Sequence, residues 1–96
     1  MITWDEEKNR ILLETRSVSF DEIVKAIAEG YAIADAPHPN QTKYPNQRVL
    51  TVILHDYVHL IPYVKDGEDI FLKTIIPSRK EQKKFEAKND KKKKTE

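Results

Sequence analysis

The sequence predicts an α+β fold, with two early helices on one face of a three- to four-stranded antiparallel sheet and a short basic helix at the end. Three observations predict it. Apolar residues recur at helical spacing in the first thirty residues. β-Branched runs joined by tight-turn signals follow. A capping signal then opens a lysine-rich segment.

The first helix is expected over about Asp5–Thr15. Thr3 and Glu6 have capping-box spacing, and acids fill the first turn, where they favour the helix dipole. Its buried face is thin: Trp4, the stem of Lys8, Ile11, Leu12 and Thr15. The second helix, about 19–29, is better marked. Ser19 and Glu22 form a capping box, Val18 and Ile23 a hydrophobic staple, and Gly30 the stop. Phe20, Ile23, Val24, Ile27 and Ala28 make its apolar face.

The period then changes. Arg48–Leu54 and Tyr57–Val64 read as strands joined at His55-Asp56. Asp66-Gly67 is a stronger hairpin signal and leads into a third strand over about Asp69–Ile76. Tyr31–Ala36 adds an edge strand. Pro37–Asn46, with three prolines and two asparagines, is a loop. Pro77 stops the last strand, and Ser78 with Glu81 opens a helix to about Lys88, anchored by Phe85 alone. Residues 1–88 form one domain. Residues 89–96, with Lys91–Lys94 in a row, are expected to be a disordered tail.

Ninety-six residues suffice for one modest core. The absence of cysteine excludes a disulfide framework, a thiolate zinc site and a cysteine nucleophile. The N-terminus lacks a basic stretch leading into an apolar one, so a secretory leader is not expected. The apolar region Val49–Val64 is too short and polar to span a bilayer. A cytoplasmic protein without membrane attachment is the expectation. The net charge of +1 hides a gradient: residues 1–30 carry −3, residues 31–77 carry −1 and residues 78–96 carry +5. The basic end attracts polyanions or an acidic protein partner.

Three blocks of sequence resemble one family. Trp4-Asp5-x-x-Lys8 is similar to the WDxxK opening of BrnT toxins. Val18-Ser19-Phe20-Asp21-Glu22 resembles their VSFEEA segment at the head of the second helix. Ile75-Ile76-Pro77-Ser78-Arg79-Lys80 resembles their IISARKA segment, where the last strand passes into the last helix. The blocks stand in the family's order and span about residues 2–86. The resemblance implies a RelE-like fold and a metal-independent ribonuclease toxin that inhibits translation. It also implies neutralisation by a cognate BrnA-like ribbon-helix-helix antitoxin, with operator DNA contacted only through that antitoxin, and no cofactor. Two positions depart from the pattern. Where the family often has a histidine near the end of the second meander strand, this chain has Ile61-Pro62-Tyr63-Val64. Where it often has an arginine before the Ile-Ile pair, this chain has Thr74.

Metal-free RNA cleavage needs a base for the 2′-hydroxyl proton, cations for the transition state and an acid for the leaving oxygen. Strand alternation gives Tyr57, His59, Ile61 and Tyr63 one face, and Val58, Leu60 and Val64 the core face. On the third strand Ile70, Leu72, Thr74 and Ile76 read as core, with Phe71 and Lys73 facing away. The expected site is therefore His59 or Tyr63 handling a proton and Lys73 with Arg79 holding phosphate, on the face away from the helices. Lys80, Lys83 and Arg48 are expected to support RNA binding. Plain alternatives stand beside these readings: a half-buried sheet histidine for His59, cross-strand packing for Tyr63, an exposed helix start for Arg79 and Lys80. Lys8 reads as a stem packed along Trp4. A metal site drawn from His38, His55, His59, Asp35 and Asp56 is not expected, because strand positions four apart lie about 13 Å from each other. The competing function is a non-catalytic binding module, either a degenerate toxin acting as co-repressor or an adaptor akin to the DUF4258 domains.

Overall fold

A computed structural model describes residues 1–94, with side chains through Lys88. The chain runs β1 (Ile2–Trp4), α1 (Glu6–Arg16), α2 (Phe20–Ala28), β2 (Ala32–Pro37), β3 (Gln47–Leu54), β4 (Tyr57–Asp66), β5 (Asp69–Leu72), β6 (Ile76–Pro77) and α3 (Arg79–Lys94). The six strands form one sheet in the order β1-β5-β4-β3-β2, with β6 also on β4.

The α+β class holds, but the sheet is mixed rather than antiparallel. β1 pairs in parallel with β5, Ile2 opposite Ile70 and Trp4 opposite Leu72. The sequence reading placed Trp4 on the first helix. Three residues are too few to show a strand period, and the pairing partner lies at the far end of the chain. The cap of α1 moves accordingly from Thr3 to Asp5, whose carboxylate accepts from the Glu7 and Lys8 N–H groups at 2.8 and 3.2 Å. The helix ends at Arg16, before Ser17 in a left-handed conformation.

α2 matches its signals closely. Ser19 Oγ accepts from Glu22 N at 3.2 Å, and Gly30, at φ 91°, turns the chain so that Tyr31 N reaches Ala26 O at 2.9 Å. β3, β4 and β5 form the expected antiparallel meander, and β2 adds the edge strand against β3. His55 and Asp56, at φ 53° and 59°, make the meander's first two-residue turn.

The predicted third strand is split. β5 keeps one register against β4 through Leu72, opposite Tyr63. β6 resumes with Ile76 opposite Leu60, one residue out of step. Residues 73–75 thus hold a one-residue bulge, stitched by Lys73 N to Pro62 O at 2.8 Å. A one-residue slip exchanges faces. Ile75 is fully buried and Ile76 is exposed, opposite to the alternation expected from Ile70 and Leu72.

The core joins Leu12, Val18, Phe20, Ile23 and Ala26 of the helical layer to Val52, Leu54, Ile61, Tyr63, Leu72 and Ile75 of the sheet. Trp4 stacks on Phe20, ring centroids 5.7 Å apart. This overturns the predicted sidedness of β4. Ile61 and Tyr63 face α1 and α2, and the register sets His59 opposite Val52 on that same face. The opposite face is covered at one end by α3, whose Gln82 Oε1 accepts from Val58 N at 2.8 Å. A strand covered on both faces reads as nearly continuous apolar sequence, and alternation then cannot say which side meets which helix. Ser78 caps α3, its Oγ accepting from Glu81 N at 3.2 Å. The helix passes its expected end near Lys88 and runs to Lys94. Of the predicted tail, residues 95–96 and the side chains from residue 89 lie outside the described residues. Among the described residues no helix is long and apolar enough to cross a membrane.

Candidate functional site

The predicted site residues fall into two groups on opposite faces of the sheet. On the helical face are His59, Tyr63 and Arg48. His59 is buried, 5% exposed, with Nδ1 2.9 Å from its neighbour's carbonyl, Tyr57 O. The Tyr57 ring meets the imidazole edge-on at 5.9 Å. Burial holds the His59 pKa below its ordinary value, since the charged form loses hydration; the Tyr57 carbonyl opposes this and His55 adds to it.

Tyr63 is tied into a polar cluster. Its hydroxyl donates to the Asp35 carboxylate at 2.8–2.9 Å, and Arg48 Nε donates to the same carboxylate at 3.1 Å. The meander builds this directly: Arg48 and Tyr63 are cross-strand partners, and Asp35 lies on the neighbouring β2. Burial raises the Tyr63 pKa, and hydrogen bonding to Asp35 raises it further. Arg48 is pushed above its ordinary value, first by the Tyr63 oxygen and then by Asp35. Asp35 and Tyr63 border a small cavity of about 180 Å³ whose other walls include Ile2, Ile27, Leu50 and Ile70. The sequence reading held Asp35 only as a metal candidate. The available signal was an acid and a base on adjacent strands of one meander.

The other group carries the exposed cations. Lys73, in the bulge, faces away from the core as predicted, and its Nζ sits 5.8 Å from the Phe71 ring centroid. Arg79, Lys80 and Lys83 are exposed on α3. Lys73 stands level with Pro62 on β4, while Ser78, just before Arg79, bonds Val58 O. Four residues of strand separate those levels, about 13 Å. The Lys73 ammonium also leans back along β5, away from α3. The expected convergence of His59, Tyr63, Lys73 and Arg79 does not occur: the first two are buried on the helical face of the sheet, and the two cations stand apart on the other side.

A further polar contact lies outside the predicted site. His55 Nε2 lies 2.6 Å from Glu22 Oε2, and Ser19 Oγ donates to the other Glu22 oxygen at 3.1 Å. This pins the β3–β4 turn to the head of α2. Among the described residues no three His, Cys, Asp or Glu side chains are grouped to hold a metal ion. Comparison of this chain with protein-family models, curated proteins and solved structures found no match.

Proposed function

We propose that this chain is the toxin component of a BrnT-type toxin–antitoxin pair, directed at RNA through the exposed cations at the start of α3 and restrained by a cognate antitoxin. The observation that carries the reading is where the resembling blocks fall. Val18–Glu22 opens α2, and Ile75–Lys80 spans the joint from β6 into α3, leaving Arg79 and Lys80 exposed at a capped helix start. A helix N-terminus flanked by arginine and lysine favours phosphate. On this reading Arg79 stabilises the transition-state charge and Lys80 and Lys83 hold RNA, while Lys73, about 13 Å away at the level of Pro62, makes a separate RNA contact. His59 and Tyr63 are positioning residues of the sheet.

A second reading, the non-catalytic binding module, is favoured by a specific observation: burial of His59 and ligation of Tyr63 leave no predicted proton carrier beside the exposed cations.

One experiment separates the two. The purified chain is incubated with RNA in the presence of a metal chelator, alongside growth of cells expressing it. The toxin reading expects cleavage and growth arrest, both lost on Arg79→Ala with the melting curve unchanged. Removing one cation that stabilises transition-state charge slows such reactions about 10²–10³-fold. Intact RNA and normal growth with well-folded protein leave the binding module.

A further inference from the structure

The outer face of the sheet carries a groove that the proposed function does not use. It lies between α3 and β2, has a volume of about 340 Å³, and is floored by Ile33, Ala34, Thr51, Val58 and Phe85, with Lys84 and Lys88 on the α3 wall. The walls are fixed: Gln82 ties α3 to the Val58 backbone, and β2 is held along its length by β3.

We infer that this groove is a docking site for an acidic protein segment that carries large apolar side chains. Two observations select that chemistry. Apart from Thr51 the floor is aliphatic and aromatic, and Ile33 is 48% exposed, so the groove offers apolar area still in water. The wall is basic: α3 lines the groove with Lys84 and Lys88 against a single acid. That acid, Glu81, pairs with Lys84 at 3.6 Å and leaves the wall net positive. Apolar anchors with carboxylates beside them satisfy floor and wall together. RNA fits less well, since single strands are held by stacking faces rather than an aliphatic floor.

The mode of docking follows from the edge strand. Among the described residues β2 has no sheet partner on its outer side, which alone would invite strand addition. However, its register slips between Ala32 and Ala34, and Pro37 at its end lacks an N–H. Both blunt the edge. The segment is therefore held by side chains in the groove rather than by a new backbone ladder.

The test uses the full chain and labelled synthetic peptides. One peptide combines leucine with glutamate, a second replaces glutamate with lysine, and a single-stranded RNA oligonucleotide is the third probe. Fluorescence anisotropy is expected to show binding of the acidic peptide and not of the basic one, with RNA binding at the start of α3 unaffected by Ile33→Glu. Ile33→Glu and, separately, Lys84→Glu with Lys88→Glu should each weaken it at least about tenfold. These positions are exposed, and matched thermal melts verify folding. Amide shifts should cluster at Ile33, Ala34, Val58 and Phe85. No binding of the acidic peptide, equal binding of the basic one, or indifference to Ile33→Glu overturns the inference. RNA binding that ignores Ile33→Glu, without peptide binding, overturns it too while leaving the RNA-directed reading intact.

Discussion

Asn9 joins the two early helices through a single buried side chain, and its removal tests how this small domain is held together. Its Oδ1 accepts from Phe20 N at 2.7 Å, and its Nδ2 donates to Asp21 Oδ2 at 3.0 Å. Phe20 opens α2, so its N–H has no acceptor within that helix. Ser19 satisfies Glu22 N; Asn9, from another helix, satisfies Phe20 N. Phe20 is fully buried, so Asn9→Ala leaves a donor stranded away from water. Such a loss destabilises by about 1–3 kcal/mol. Asp21 is exposed and rehydrates, so its lost bond contributes little. For a domain of this size each kcal/mol lowers Tm by about 4–8 °C, which predicts a fall of at least about 4 °C and up to roughly 24 °C. Urea titration followed by far-UV circular dichroism, with Asp21→Ala as the exposed control, gives the free energies. A variant within about 0.5 kcal/mol of the parent, with unchanged m, refutes the claim that Asn9 is the sole satisfaction of that donor. Asn9→Asp refines it: the acceptor survives, but two carboxylates stand about 3 Å apart. That variant should recover stability as acid protonates one of them.

Two further outcomes follow from named groups. The folded-state pKa of His59 is depressed by burial, so the unfolded chain binds the proton more readily; stability conferred by neutral His59 is complete above the unfolded value near 6.5 and falls as pH drops through it toward the lowered folded value. Urea melts across that window should show this loss, and His59→Gln should flatten it; an unchanged slope would remove His59 as its source. Asp56 sits at φ 59° in the β3–β4 turn, so Asp56→Gly should raise stability by roughly 0.5–1 kcal/mol by relieving left-handed strain, and a lower Tm would contradict that assignment.

Much of the fold was legible because its signals are local. Ser19, Glu22 and Gly30 bound α2 within a residue or two, and Asp66-Gly67 turns where a hairpin signal predicts, with Gly67 at φ 63°. Capping and turn formation depend on side chains a few residues apart, so adjacency in sequence is adjacency in space. The candidate site was legible only in part. Lys73 and Arg79 are exposed, as alternation and the Ser78 cap predicted. His59 and Tyr63 were assigned to the wrong face, because Val58 and Leu60 are as apolar as the true core residue Ile61.

Residue chemistry and local spacing by themselves determined the two early helices, the β3–β4–β5 meander with its β2 edge strand, the capped basic helix and the inventory of cations. Tertiary structure alone decided the parallel pairing of β1 with β5, the one-residue bulge that turns Ile75 inward, and the side of β4 that meets the helices. Each of these depends on contact between segments distant along the chain. Packing free energy from both layers chooses among registers and faces that the isolated strands leave nearly equivalent.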